Sequence, residues 1–440
     1  MSIAAQISVA LGAIAVMLGL MAVVRRMARQ RGLSAEVQRK LVHIGTGLFA
    51  LTLPWLFPDR WPVFMLIALT LITMAVLRLP RFARSGLGAA LHGVERRSYG
   101  DVLLALAVGF VYLMADGRAI LYVLPLAVLT LSDAAAALTG SRYGSQFFRV
   151  EDGVKSLEGS VAFFTVTLIL SMSCLLLLSD VPRQNILPVA VMVAGFATLI
   201  EADSWRGFDN FFLPAGLLLF LERHLTSTPL ALFGILVLLT CAIILSLGAA
   251  RYLGLTAHAA RVYVLSAFLL ISVTTVQNVI LPLSVFAAHA ISCRHNPCSA
   301  RYPELDIVAG LAVISFAWLA AGALSGQNNL SFYGMSAAGL SLGLLAVAAA
   351  PGKRWIELGF AALGVLAAYF VLMRWNPDAT HWAGSLEFLA LGSAVILSLI
   401  PAAQSAAFQN ARALKLSVIS MLGPCAVFLA ALGRARGWLG

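Results

Sequence analysis

Apolar stretches about as long as a bilayer is thick recur from one end of the chain to the other. A hydrocarbon core of about 30 Å takes roughly 20 residues of helix to cross. Inside it every backbone N–H and C=O must be satisfied within the protein, so only helices and closed barrels span. A barrel needs residues that alternate between lipid and lumen, and these stretches do not alternate. The expectation is an all-α, polytopic helical membrane bundle. The runs fall at 6–24, 41–57, 61–77, 101–115, 119–138, 160–179, 187–201, 209–221, 228–248, 262–291, 307–324, 331–349, 355–373, 384–402 and 414–432, about fifteen spans at the usual length. The run 262–291 is too long for one ordinary crossing. Of the 440 residues 61% are hydrophobic and 11% charged, against about 25% charged in a soluble domain.

The net charge of +11 does not read as a nucleic-acid surface, because the cations sit in short loops beside apolar runs. It fits topology, anionic headgroups and a nucleotide. The first run, Ile3 to Val24, has no basic region before it and no small-residue cleavage site after it. Arg25, Arg26, Arg29 and Arg31 follow it instead, the pattern of a retained first helix whose C-terminal end is cytoplasmic. Alternation then places Pro58–Arg60 outside and the basic stretch 78–101 inside. Asp116–Arg118 falls outside, and 139–159 inside.

The longest polar interruption in the first half is Ser132 to Ser160, SDAAAALTGSRYGSQFFRVEDGVKSLEGS. A solvated connector is one reading of it. A phosphate site is the other: Gly140, Gly144, Gly153 and Gly159 allow close backbone approach, and Arg142, Arg149 and Lys155 supply cations. Asp133 ends an apolar run that continues helically through Ala134–Ala137, where an unpaired carboxylate is costly. A metal ion, Lys155 or Arg142 relieves that cost. Ser156 or Ser160 caps the next helix, whose first amides face phosphate; Glu158 and Gly159 lie in its first turn. G-x-x-x-x-G-K-[ST] does not occur here, so this is not a Walker loop. A second acidic cluster, Glu201, Asp203 and Asp209, has Arg206 as its cation, and such carboxylates repel one another unless a divalent ion sits among them. Arg39, Lys40 and His43 stand at the entrance of an early span, where anchoring explains the cations and a bundle-facing hydrogen bond explains the histidine.

The string SDAAAALTGSRYG followed by KSLEGS resembles the CTP-binding signature of the dolichol kinase and phytol kinase family, which is distantly similar to phosphatidate cytidylyltransferases. Arg39-Lys40-Leu41-Val42-His43-Ile44-Gly45 resembles that family's early RK-x-x-H-x-x-G element. EADSWRGFDNFFLP, from Glu201 to Pro214, resembles its late acidic element, with Phe211 departing from the small polar residue usual after Asp-Asn. The three elements cover roughly 35–225. The resemblance implies a CTP-dependent kinase of a membrane lipid alcohol (phytol, a polyprenol or dolichol, or diacylglycerol) in the inner membrane, with its nucleotide site cytoplasmic. It implies Mg²⁺ on Asp133 and Asp209, and catalytic roles for Asp133, Lys155, Asp209, Glu201 and His43. The nucleotide would lie on Ser132, Gly140, Arg142, Gly144, Lys155, Ser156, Glu158 and Gly159. Two other readings stay open: a CDP-lipid synthase, and a transporter or scaffold that keeps the site as a relic.

Residues 1–248 carry that resemblance. Residues 249–440 read as an accessory helical domain of unassigned role, with few ionisable residues in its spans. Trp355, Trp375 and Trp382 suit membrane interfaces, and Gln277 and Asn278 suit hydrogen bonding between helices. Cys174, Cys241 and Cys425 suit packing. Cys293 and Cys298, near His289 and His295, suit a disulfide or a metal site.

Overall fold

The structure is a computed structural model that describes residues 2–77, 100–150, 153–349 and 355–437. The basic stretch 78–99, Glu151 and Asp152 lie outside the described residues. Among the described residues, eleven helices are long and apolar enough to cross a membrane, and Trp61–Val76, Gly100–Ala115 and Ala257–Val273 are shorter apolar helices. The chain is a multi-pass helical membrane protein. It divides into two compact units, Met1–Leu238 and Leu239–Gly440.

The first unit holds α1 (Ile3–Arg31), α2 (Ala35–Leu56), α3 (Trp61–Leu77), α4 (Gly100–Ala115), α5 (Ala119–Ala127), α6 (Asp133–Tyr143), α7 (Leu157–Leu178), α8 (Arg183–Asp203), α9 (Asp209–His224) and the start of α10 (Pro229–Leu253). Gly32, at φ 64°, ends α1, and the Ser34 hydroxyl caps α2 by accepting from Val37 N at 3.3 Å. α5 and α6 are one rod interrupted by a single π-helical turn, Val128–Ser132. A two-stranded antiparallel hairpin, β1 (Phe147–Val150) and β2 (Gly153–Ser156), joins α6 to α7, with Phe147 opposite Ser156 and Phe148 opposite Lys155. The expectation of loop from 139 to 159 is thus corrected: helix runs to Tyr143 and the hairpin fills most of the rest. Leu121, Leu124, Leu129, Phe163, Leu217 and Phe220 are fully buried at the centre.

The second unit is built around α14 (Leu330–Ala349), every residue of which from Ser331 onward is buried. Lipid offers no hydrophobic drive for helices to pair, so close packing of small residues must hold them. A Cβ on Gly334 would meet the Tyr369 ring at 3.1 Å, and one on Gly339 the Ser420 and Ala394 side chains at 3.2 and 3.3 Å. Around it stand α11 (Ala257–Val273), α12 (Ile280–His295), α13 (Pro303–Ser325), α15 (Trp355–Trp375), α16 (Leu386–Leu397), the short α17 (Ile400–Ala403) and α18 (Arg412–Ala435). The run 262–291 is not one span. It breaks between α11 and α12 at a 3-10 turn, Val276–Val279. Asn278 there is fully buried and exchanges two 3.1 Å hydrogen bonds with Asn376. Trp355 and Trp375 are exposed, whereas Trp382 packs on Phe332 and Phe428, each at 5.8 Å between ring centroids.

Candidate active site

Five chain segments of the first unit supply the site. The π-helical turn sets the position of Asp133: its N–H bonds the Val128 carbonyl, five residues back instead of four. Such a turn carries one residue more than the α-helical ladder and is common at functional sites. The Leu129 carbonyl takes a contact at 3.2 Å from His43 Nε2 on α2. A carbonyl only accepts, so Nε2 carries the proton.

One turn earlier on α2, Lys40 reaches Asp133 Oδ2 at 2.7 Å, and His43 Nε2 lies 3.6 Å from the same oxygen. Lys40 and Asp133 are both about nine-tenths buried as side chains. Together they answer the cost of a carboxylate at membrane depth. The charge of Arg39 also acts on Asp133. Sequence reasoning placed a metal ion, Lys155 or Arg142 on Asp133; the side chain that pairs with it is Lys40, 93 residues away in the chain. Arg142 is exposed and lies over the ring of Tyr143, 5.5 Å from its centroid.

Lys155, on β2, points to the C-terminal end of α8. It bonds Glu201 Oε1 at 2.9 Å and also the Glu201 backbone carbonyl. Glu201 is buried, and the charges of Lys155, Asp133 and Asp209 all act on it. Asp133, Lys155, Glu201 and Asp209 are therefore electrostatic neighbours, with Lys40 and His43 behind Asp133. α8 and α9 are joined by a tight turn with Arg206 at φ 48° and Gly207 at φ 83°. Asn210 donates its side-chain amide to the Gly207 carbonyl at 3.1 Å and its N–H to Asp209 Oδ1 at 3.0 Å. The Asp-Asn pair is thus held by its own turn. Among the described residues Asp209 has no cation partner; its hydrogen bonds come from Asn210.

The glycines serve first to bring backbones together. A Cβ on Gly159 would lie 3.0 Å from the Ala136 carbonyl and 3.5 Å from Gly140 Cα, and one on Gly140 would lie 2.7 Å from Ser156 Oγ. A Cβ on Gly144 would strike the Gly140 carbonyl. α6 and α7 cross at these positions, which seats the start of α7 beside the Asp133 helix. Ser156 caps α7 by accepting from Gly159 N at 3.1 Å. Glu158 accepts from Ser145 N at 2.9 Å and Gln146 N at 3.1 Å, with Ser145 Oγ on the same oxygen. Its carboxylate pins the entry of the hairpin. The Ser132 hydroxyl is buried and has no hydrogen-bond partner among the described residues.

No protein-family model matches the chain, and no solved structure matches it. A phytol kinase of Synechocystis sp. is 30% identical over 217 residues, which is 47% of this chain and 88% of that protein. The N-terminal region therefore aligns with nearly the whole of that kinase. This chain belongs to the phytol kinase family.

Whether the site accepts a divalent ion turns on its carboxylates. Among the described residues no group of three or more His, Cys, Asp or Glu side chains is gathered to hold a metal. Asp133 is already compensated by Lys40. The residues do not fit a resident, fully protein-ligated ion. They fit Mg²⁺ that arrives on a nucleotide, which commonly takes only one or two carboxylates besides phosphate oxygens. Among the described residues Asp209 has no cation on it, and the orphan Ser132 hydroxyl is a polar group that a bound molecule would satisfy. Lys40 and Asn210 are the two residues here that sequence reasoning left out of the site. Lys40 was explained by anchoring, and only its burial beside Asp133 shows otherwise.

Proposed function

We propose that the protein is a CTP-dependent kinase that phosphorylates the hydroxyl of a membrane lipid alcohol, with its nucleotide site on the cytoplasmic face of the cell's inner membrane. The observation that carries the reading is Lys155 held against Glu201 within the field of Asp133 and Asp209, in a chain aligned with most of a phytol kinase. Phytol, a polyprenol or dolichol, and diacylglycerol are the candidate acceptors, and an isoprenoid alcohol is favoured because the aligned relative is a phytol kinase.

In this reading the Lys155 ammonium turns from Glu201 to a phosphate oxygen as a point charge. That leaves the Glu201 carboxylate free to take the proton of the acceptor hydroxyl as its oxygen attacks the γ-phosphorus and CDP leaves. His43, whose ring is fixed by the Leu129 carbonyl, orients the acceptor side of Asp133. Asp209, with Asp133 behind it, would hold Mg²⁺, which supplies charge stabilisation to the phosphates during transfer. Lys40 keeps Asp133 ionised and in place. The preorganised charge of these groups is the main catalytic resource of a phosphoryl transferase.

The test uses the purified full-length protein in detergent with Mg²⁺, CTP labelled at the γ- or α-phosphate, and phytol, polyprenol, dolichol and diacylglycerol in turn. UTP and ATP run in parallel. Label from the γ-phosphate should end on the lipid, and Lys155→Ala should abolish most of it. Label from the α-phosphate appearing in a CDP-lipid, with pyrophosphate released, would instead establish the cytidylyltransferase reading. No nucleotide turnover with any acceptor, at a level that Lys155→Ala does not change, would leave the transporter or scaffold reading.

A further inference from the structure

The start of α18 gathers positive charge where the fold pairs no carboxylate with it. Arg412 is the first residue of that helix and is 3% exposed. Its Nε donates to the Phe408 carbonyl and its Nη1 to Ser292 Oγ on α12, both at 3.2 Å, while Nη2 has no partner among the described residues. Both acceptors are neutral, and no carboxylate pairs with the guanidinium among the described residues. A guanidinium keeps its charge in proteins, and a buried charge without a partner is costly.

The helix adds to the same field. α18 runs for 24 residues from a start with no side-chain cap: Ala411 sits there at φ 52°, and no acid stands in the first turn. Asn410, a residue type suited to capping, accepts from the Ser299 hydroxyl instead. Lys415, one turn into α18, folds back to the Ala407 carbonyl at 2.6 Å. The positive end of a helix disfavours cations and favours anions, yet two cations gather at this one.

Donors also outnumber acceptors here. Ser292 is fully buried, its hydroxyl accepts from Arg412, and its own proton goes to no acceptor among the described residues. A water molecule would answer the hydrogen bonds but not the charge. An anion answers both. The surroundings also limit its size. Ser299 donates its N–H at 3.0 Å and its hydroxyl at 2.9 Å to the Gln409 carbonyl. Gln409 Nε2 donates to Asn296 Oδ1 at 2.6 Å, and Asn296 Nδ2 to the Val347 carbonyl at 3.1 Å. The loop after α12 is thus fastened to the segment before α18, and a ligand that reaches Nη2 has to be small.

We propose that Arg412 Nη2 and the Ser292 hydroxyl, at the uncapped start of α18, bind a monovalent inorganic anion of halide size, chloride in ordinary solution. The bound ion neutralises the guanidinium, accepts from both side chains and ties α12 to α18. Two neighbouring groups can also carry negative charge. Glu304, at the start of α13, acts on Cys293 and is not paired with Arg412 among the described residues. The Cys298 thiol is lowered to about 6, by Cys293 first, with Arg412 a smaller cause. Cys293 and Cys298 are free thiols, and among the described residues no metal-binding group forms, so the metal reading of His289, Cys293, His295 and Cys298 does not hold.

The experiment is hydrogen exchange read by mass spectrometry on the full-length protein in detergent. Chloride replaces gluconate at constant ionic strength, so that screening stays the same. Inorganic phosphate, and phosphatidylglycerol in the micelle, are the comparison arms. At about ten times its half-saturating concentration, chloride should slow exchange about ten-fold in peptides spanning 288–299 and 409–418. Peptides of α7, in the first unit, should not change. Arg412→Gln should abolish the effect, and Arg412→Lys should keep part of it with weaker half-saturation. Cys298→Ser should leave it at least as large. No saturable slowing by chloride in those peptides, or the same slowing from phosphate or phosphatidylglycerol, overturns the proposal. So does a chloride effect that appears only in Cys298→Ser, since the thiolate would then be the counter-charge. The unmutated protein decides between chloride and the other anions, whatever Arg412→Gln does to folding.

Discussion

Removing the charge of Asp133 should destabilise the first unit, and a second substitution should restore the fold without restoring the chemistry. Asp133→Asn leaves the Lys40 ammonium buried, its 2.7 Å counter-charge gone, with Arg39 and His43 close enough to have acted on the same carboxylate. Breaking one side of a buried pair costs about 3–5 kcal/mol, whereas removing both sides is often near neutral. For a unit the size of Met1–Leu238, each kcal/mol is worth about 2–4 °C in Tm, so Asp133→Asn should lower Tm by about 6–20 °C. Lys40→Met should do the same. The double variant Lys40→Met with Asp133→Asn should recover to within about 1–2 kcal/mol of the parent, the remainder being the buried amide. Phosphoryl transfer should stay absent in all three. The assay is a double-mutant cycle on thermal unfolding in one detergent, with lipid phosphorylation measured on the same samples. Additive Tm losses in the double variant would refute the ion pair as the reason for Lys40's burial. Transfer restored together with stability would show that Asp133 contributes folding and no chemistry.

Three further outcomes follow from other contacts. Gly159→Ala places a methyl 3.0 Å from the Ala136 carbonyl, so α6 and α7 must separate at a cost of about 1–3 kcal/mol, read as a lower Tm and weaker nucleotide use. Asn278→Leu leaves Asn376 Oδ1 without its donor and one of its two amide N–H groups unpaired, the other keeping the Leu372 carbonyl at 2.8 Å; the loss should be about 1–2 kcal/mol, and Asn278→Leu with Asn376→Leu should lose less than Asn278→Leu alone in the same melt. Burial lowers the pKa of His381, but its 2.8 Å contact with Glu387 and the nearby Met373 carbonyl outweigh that and raise it from 6.5. A raised folded-state value means that the histidine's contribution is complete below 6.5 and fades as pH rises through the folded value. The second unit should therefore melt lower at alkaline pH, and His381→Gln should flatten that dependence; an unchanged slope would refute the pairing.

The helical membrane bundle was legible because apolar length is a local property of the chain; the number of spans was less so, with eleven long apolar helices and three shorter ones among the described residues against about fifteen expected. The break in 262–291 was legible as a problem of length; Gln277 and Asn278, read as hydrogen-bonding residues, lie in the turn where it falls, and Asn278 makes such a bond. The Ser156 cap was also local, since a serine three residues before the glycine whose N–H it accepts is a short-range pattern. Lys40 was not legible as the partner of Asp133, because nothing in a sequence distinguishes a lysine that anchors a helix from one that enters it. The hairpin Phe147–Ser156 was missed because FFRV and GVKS are too short for alternation to register and their outer faces are apolar and charged alike. The glycines of the nucleotide signature were read as room for phosphate. Two of them, Gly140 and Gly159, are also where two helices touch, and one residue type serves both demands because both need the same missing Cβ.

The π-helical turn has a consequence for how the Ala119–Tyr143 rod tolerates change. One surplus residue in the turn advances everything after it by about 100° of helical phase relative to an uninterrupted α-helix. The rod therefore carries two reading frames. Upstream, a frame set by Leu121, Leu124 and Pro125 faces the bundle; downstream, a shifted frame presents Asp133 to Lys40 and Gly140 to the start of α7. Deleting a single residue between Val128 and Ser132 would merge the two frames, leaving a longer and more regular helix that aims alanine where the carboxylate belongs. A deletion there should be more damaging than any single substitution at the same positions, and a residue inserted upstream should not compensate it.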